Sequence, residues 1–366
     1  MSRTFNMKTV EQQNLQLFTE LQDRSVGIFP STRYQGSKYK LIKWINYHTQ
    51  GLDAQTVLDA FGGTGSIGYM FKQRGKRVIY NDSLKFNHFI GLALIENQTT
   101  RLDDQDMEFI LNKHPHVRYP TFIYDTFHDI YFTDEENQWL DVVVSNISSI
   151  GNRYKQALAY YALFQACISK RPYNLFHRKN LYLRLADVQR SFGNKKTWDT
   201  PFRDHFLRFV TEANKAVYDN GKHNQALHSD VFDLSIPNID LVYIDPPYIS
   251  ARGVGVNYFD FYHFLEGIVF YAQWPQLIDM NSKHKKISNG INEWCKKGEI
   301  HGAFERLFNK FHDSILVVSY RDDGMPTINE LVAMLKKIKG SVEIKKLDYK
   351  YVLSKEAAKE VLIIAQ

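Results

Sequence analysis

The sequence carries only two cysteines, Cys167 and Cys295, in 366 residues. That excludes a disulfide framework and a cysteine-rich zinc site, and it fits a reducing compartment. Long apolar runs are missing too. No segment approaches the roughly 20 apolar residues of a membrane span. The opening Met1-Ser2-Arg3-Thr4-Phe5-Asn6 lacks the apolar stretch of a secretion signal. A soluble, cytoplasmic protein with no membrane partner is expected. There are no internal repeats and no low-complexity tracts. Charge is only mildly one-sided, at +6, which favours an anionic partner without requiring one. Apolar residues are plentiful: at 44% they suffice for one large core and a second, smaller domain.

One stretch organises the rest. Leu241-Val242-Tyr243-Ile244 reads as a buried strand of a parallel sheet, and it stops at Asp245-Pro246-Pro247-Tyr248 because prolines cannot extend a ladder. A carboxylate, two carbonyls and an aromatic ring are therefore held at the carboxyl end of a strand, where open α/β sheets bind ligands. The set suits methyl transfer to an exocyclic amino group. Asp245 and the Pro246 carbonyl can each accept one N–H, while Tyr248 stacks on the ring that carries the nitrogen. The plainer reading is a Pro-Pro turn with an exposed tyrosine.

Upstream, residues 1–30 begin with a short helical pattern (Leu15, Phe18, Leu21). Gly36 and Ser37 then allow a tight turn into an amphipathic helix carrying Leu41, Ile42, Trp44 and Ile45. Lys38 near that helix's start opposes the helix dipole, which favours a ligand-facing cation over a solvated one. Residues 56–82 form a strand–loop–helix–strand unit. Phe61-Gly62-Gly63-Thr64-Gly65-Ser66 is the loop where backbone can approach a ligand, and Asp82 closes the second strand, placed to take two ribose hydroxyls. Gly63-Thr64-Gly65-Ser66-Ile67-Gly68 also fits G-x-G-x-x-G, so a nicotinamide oxidoreductase is a rival reading.

From about 99 to 222 the strand–helix alternation gives way to helical spacing, as in Tyr154, Leu158, Tyr161, Phe164 and Ile168. The expected organisation is a catalytic domain formed by 1–98 and 223–366, with a mainly helical insert at 99–222. The insert's second half is basic. Between Lys170 and Arg208 ten cations face three acids (Asp187, Asp199, Asp204), with Tyr173, Phe176, Tyr182, Phe192 and Trp198 interleaved. That mixture suits phosphate contact and base wedging; a solvated face with inward aromatics is the alternative. Beyond the insert, Gln225 to His228 and Ser314 to Tyr320 read as strands, Val254 to Phe264 as a lid or a helix's core face, and 281–301 as a polar loop. Val342–Leu347 and Lys359–Ile364 read as a closing antiparallel pair.

Taken together these residues resemble the α-group adenine-N6 DNA methyltransferases, the family of the Dam enzymes, over most of the chain. Arg33-Tyr34-Gln35-Gly36-Ser37-Lys38 is similar to that family's N-terminal cofactor motif. Asp59-Ala60-Phe61-Gly62-Gly63-Thr64-Gly65-Ser66 is similar to its glycine loop, Asp82 to its ribose-binding acid, and Asp245-Pro246-Pro247-Tyr248 to its catalytic tetrapeptide. Asn257-Tyr258 followed by Tyr262 resembles the segment after it. The resemblance implies a Rossmann-like class I methyltransferase fold with a mixed α/β sheet and a target-recognition insert. It implies S-adenosylmethionine as cofactor, held by Tyr34, Lys38, Asp59, Phe61, Gly62, Gly63, Gly65, Asp82, Asp230 and Asp245. It also implies a site-specific enzyme, encoded in a bacterium or a phage, that flips an adenine out of double-stranded DNA. Contacts to DNA are expected from Arg33, Tyr258, Arg178, Lys179, Arg184, Lys195 and Lys196. Charge changes little until the methyl moves, so the chemistry calls for no metal. A restriction–modification role with a companion endonuclease is the expected setting, and monomer and weak dimer both stay open. An RNA or protein amino-group methyltransferase and a non-catalytic DNA-binding regulator remain as alternatives.

Overall fold

A computed structural model describes residues 27–188, 195–250, 255–288, 292–349 and 358–366. The expected helix around Leu15 to Leu21, with Arg190, Phe192, Gly193 and Asn194, lies outside them. Nine strands are present among these residues: β1 (Thr56–Asp59), β2 (Arg77–Asp82), β3 (Gln225–His228), β4 (Leu241–Ile244), β5 (Ile249–Ser250), β6 (Ile315–Arg321), β7 (Gly324–Met325), β8 (Val342–Tyr349) and β9 (Ala358–Ala365). Seven of them make one sheet in the order β3-β2-β1-β4-β6-β9-β8. The first five of that order run parallel, and β9 enters antiparallel between β6 and β8. This is the mixed α/β sheet that the resemblance implies. Strand β4 sits at its centre, between β1 and β6, with all four residues buried.

Alternation along the strands divides the interior. Val57, Val78, Leu241, Tyr243 and Val317 face one layer of helices, and Leu58, Ile79, Val242, Ile244, Leu316 and Val318 face the other. The first layer holds α1 (Ile42–Thr49), α2 (Ser66–Gln73), α3 (Lys85–Gly91), α4 (Asp134–Ser148), α5 (Arg153–Ser169), α6 (Phe202–Ala216) and α7 (Tyr258–Val269). The second holds α8 (Ile300–Lys310) and α9 (Ile328–Lys336). After α3 the chain makes a π turn at Leu92–Glu96.

Residues 99–222 are helical wherever they form regular structure among the described residues. Helix α5 is buried from Ala157 to Ser169 on every side, because it packs between α3 and α6. Its apolar residues join the same cluster as Val57 and Tyr243 of the sheet. The helices at 99–222 therefore share a core with the sheet. Among the described residues no helix is long and apolar enough to cross a membrane.

Candidate active site

The glycine loop leaves β1 after Asp59 and lies across the ring of Tyr80. A Cβ on Gly62 would come within 2.1 Å of that ring, so only glycine fits. The Tyr80 hydroxyl donates to the Gly63 carbonyl at 2.8 Å, and the Gly62 N–H donates to the Asn81 carbonyl at 2.8 Å. Gly63 and Gly65 adopt φ of +50° and +72°, and Gly65 starts α2. Two carboxylates fix the loop further. Asp59 Oδ2 accepts the Gly68 N–H at 2.9 Å. Asp82 accepts the N–H groups of Gly63 (2.9 Å) and Leu84 (2.8 Å) and the Asn87 amide (3.1 Å). Burial lifts the Asp59 carboxyl to about 7 against the pull of that N–H, and it raises Asp82 against its own three donors.

A cleft of about 290 Å³ opens over this loop at the carboxyl ends of β1, β2 and β4. Phe61, Asp82, Asp230, Val231, Trp294 and Asp245 are among its lining residues. Asp230 also caps its own turn, accepting the Phe232 N–H at 3.0 Å. Trp294 belongs to the stretch expected to be only a polar loop. It is buried, meets Phe61 edge-on at 5.1 Å and stacks on Phe232 at 5.8 Å. Its signal was a lone tryptophan among polar residues. Tyr80 was equally legible, as a large aromatic mid-strand beside a glycine loop, and both were missed.

The Arg33–Lys38 segment is fastened to α7. Tyr34 stacks on Tyr262 at 4.5 Å and on Tyr258 at 5.7 Å, and the Gln35 N–H donates to the Tyr262 hydroxyl at 2.8 Å. Gly36, at φ +83°, leaves room for the Tyr258 hydroxyl. Residues 257–264 are thus a helix start and its core face, and Asn257, Tyr258 and Phe259 line the cleft. The segment delivers Lys38 into the cleft wall. Its ammonium, with 8% exposure, lies 2.8 Å from Asp245 Oδ1. Burial alone would lower the Lys38 pKa, but Asp245, with Glu360 and Tyr243, raises it, so Lys38 stays charged. Lys38 therefore meets the catalytic candidate directly.

Asp245 follows β4, and it and Pro247 reach the cleft. Burial raises the Asp245 carboxyl while Lys38 opposes the rise. Tyr248 is turned toward β6: its hydroxyl accepts from Arg321 Nη1 at 2.9 Å, and its ring meets Tyr320 edge-on. Arg321 in turn holds Asp323 through two nitrogens. Pairing of β5 with β7 anchors the chain just beyond Tyr248.

The basic insert divides in two. Arg184, expected at the DNA, is instead 5% exposed and donates twice to Glu136, at 2.9 and 2.8 Å. Lys170 shares the same carboxylate at 2.8 Å, and Arg171 is buried over the Tyr131 ring. Internal carboxylates and carbonyls engage this charge within the fold. Arg178, Lys179, Lys195 and Lys196 are exposed; Lys179 reaches Asp129 and Lys195 reaches Asp199. Arg33 is half-buried, and burial, then Arg208, lowers its pKa.

Residues 34–286 match the family model of the D12 class N6 adenine-specific DNA methyltransferases. The chain belongs to this family. It is similar to the type II methyltransferase M2.HphI of Haemophilus parahaemolyticus, with 33% identity across 84% of this chain and 88% of the relative. It is also similar to M.NlaIII of Neisseria lactamica, at 25% identity across 87% of this chain and 91% of that protein. M.FokI of Planomicrobium okeanokoites matches at 26% identity, across 83% of this chain but only 46% of its own length. The methyltransferase thus acts on adenine N6 in DNA. The nicotinamide reading falls away.

Proposed function

We propose that this methyltransferase uses S-adenosylmethionine to methylate a flipped adenine within a specific duplex site, as the modification enzyme of a restriction–modification system. The carrying observation is Asp245, held by Lys38 at the edge of a cleft whose other end offers Asp82, Asp230 and an aromatic wall. That donor set fits the cofactor. Phe61, Val231 and Trp294 suit a purine, and the carboxylates of Asp82 and Asp230 suit ribose hydroxyls and a base edge. Oδ1 of Asn81 and Oδ1 of Asn87, both buried in cleft-lining residues, have no hydrogen-bond partner among the described residues. When bound, the cofactor supplies an electrophilic methyl group.

The chain's own residues do the rest. Adenine N6 is a weak nucleophile because its lone pair is delocalised into the ring. Asp245 and the Pro246 carbonyl accept its two N–H bonds, which favours a pyramidal nitrogen with a directed lone pair. The Asp245 carboxylate then faces the positive charge that develops on the nitrogen and accepts the proton it sheds. Tyr248 and Tyr258 offer aromatic faces to the extruded base. The Arg321 bond to the Tyr248 hydroxyl presets that ring. Exposed Arg178, Lys179, Lys195 and Lys196 supply phosphate contacts, and Arg33 supplies charge near the cleft. The relatives' names, all type II or modification methylases, support the restriction–modification setting and a companion endonuclease.

The test is direct. Purified protein, methyl-labelled S-adenosylmethionine and plasmid DNA should give N6-methyladenine in the nucleoside digest, confined to one short motif. Label on cytosine, on RNA alone or on no nucleic acid would sink the reading.

A further inference from the structure

The sheet face that carries Tyr243 and Val317 changes character at its carboxyl end. Residues alternate faces along a strand. Val317, Ser319 and Arg321 of β6 therefore share a face, as do Ile364, Leu362 and Glu360 of β9, and the register pairs Arg321 with Glu360. Where an apolar residue would continue the pattern, β9 places a carboxylate. Glu360 has 0% exposure, and neither of its oxygens has a hydrogen-bond partner among the described residues. A buried, unpartnered carboxylate costs stability, so it needs a reason beyond packing.

Its surroundings supply one. The charged groups acting on it are Lys38 from the turn before α1, Asp245 beyond β4, Arg321 on β6 and Asp323 beyond β6. Lys38 feels both Asp245 and Glu360, together with Tyr243 of β4. Arg321 is already engaged by Asp323 and by the Tyr248 hydroxyl. Lys38 is thus one cation acted on by two carboxylates, of which Asp245 has its ion pair and a place on the cleft wall.

We propose that Glu360 is a positioning residue for methyl transfer, a buried anion near Lys38 that offsets the lysine's charge and leaves Asp245 its full negative potential toward the adenine amino group. This rests on the assignment of Asp245 to that amino group. With Glu360 ionised, the trio carries a net negative charge, which favours the cationic nitrogen formed as the methyl arrives. With Glu360 neutral, Lys38 cancels Asp245. Burial pushes the Glu360 carboxyl up to about 7, drawn down by Lys38 and pushed up by Asp245. It is therefore neutral well below pH 7 and ionised above, so its help grows as pH rises.

The experiment is the single-turnover rate of methyl transfer in the full chain, with saturating cofactor and DNA, from pH 6 to 8.5. Glu360→Gln should match the parent at pH 6 and fall roughly tenfold below it at pH 8.5, an effect sized for one buried charge near the reacting nitrogen. Glu360→Asp should stay near the parent throughout. Burial also lifts the Asp59 carboxyl to about 7 and raises that of Asp245. Both remain in the variant, so the ratio reports the loss of the Glu360 charge together with its effect on Asp245. Cofactor and DNA affinities should be unchanged. A parent-to-variant ratio that is constant with pH would overturn the proposal, as would a matched loss of affinity and melting temperature, which marks a packing role. Either result leaves the methyltransferase reading intact, which fails separately if the parent itself puts no methyl on DNA.

Discussion

The two ends of the cleft hold their carboxylates in opposite ways. At the proposed cofactor end, Asp59 and Asp82 are tied by backbone N–H groups of Gly68, Gly63 and Leu84. These are short-range bonds from a fixed frame, and they shape the glycine loop as much as they await a ligand. At the proposed catalytic end, Asp245 is held by one side-chain cation on a separate segment, and Glu360, outside the cleft lining, is held by no hydrogen bond among the described residues. The first end is built by the fold and would survive with little change if no ligand came. The second stores unbalanced charge in a buried place, which costs stability and is useful only if something positive arrives.

The largest expected effect comes from swapping a carboxylate for its amide at the catalytic end. Asp245→Asn keeps the shape but loses the charge and one acceptor oxygen, and it leaves Lys38 facing Glu360 alone. The transfer rate at saturating ligands should fall by roughly a thousandfold, on the scale of removing a preorganised electrostatic group. Cofactor affinity by calorimetry should stay within a few-fold. A near-parental rate would erase the distinction between the ends.

Asp82→Ala probes the other end and should give the reverse pattern. Cofactor binding should weaken by about 1–3 kcal/mol, the usual cost of losing hydrogen bonds to a charged group. The melting temperature should fall as well, because the N–H groups of Gly63 and Leu84 lose their acceptor. The rate at saturating cofactor should barely move. An unchanged calorimetric affinity would make Asp82 a loop fastener only.

How much of this could be read from the chain follows the same division. The central strand, the turn at Asp245-Pro246-Pro247 and the glycine loop announce themselves, because proline and glycine have strong local consequences. The order of chemistry-bearing segments carried the family resemblance. Side-chain pairings far apart in sequence were not legible. Nothing near Lys38 says that it meets Asp245, and Glu360 looks like any strand-edge glutamate until β9 is seen to slot between β6 and β8. The polar stretch around 292–296 hid Trp294, because one aromatic has no periodicity. Charge counting misled most in the insert, where composition could not tell that Glu136 sits inside to receive Lys170 and Arg184.

That insert extends the comparison to its smallest expected effect. Arg184 and Lys170 are held by the fold, like the acids of the cofactor end, whereas Arg178, Lys179 and Lys196 face solvent. Replacing the solvent-facing three with Ala should leave the melting temperature and cofactor affinity unchanged. DNA binding should weaken, and the log–log salt slope should flatten by roughly 0.9 for each phosphate left without its cation. Lys179 already reaches Asp129, so its share should be the least. A uniform weakening across DNA sequences marks phosphate binding; a selective one would mark base reading. Arg184→Ala should do the opposite: the salt slope holds while stability drops by about 1–3 kcal/mol, because Glu136 loses a two-point partner and keeps Lys170 and the Thr133 N–H. Were Arg184→Ala to flatten the slope while the surface triple left it untouched, the division of this segment into held and free charge would be inverted. The DNA would then have to reach a cation that the folded chain buries.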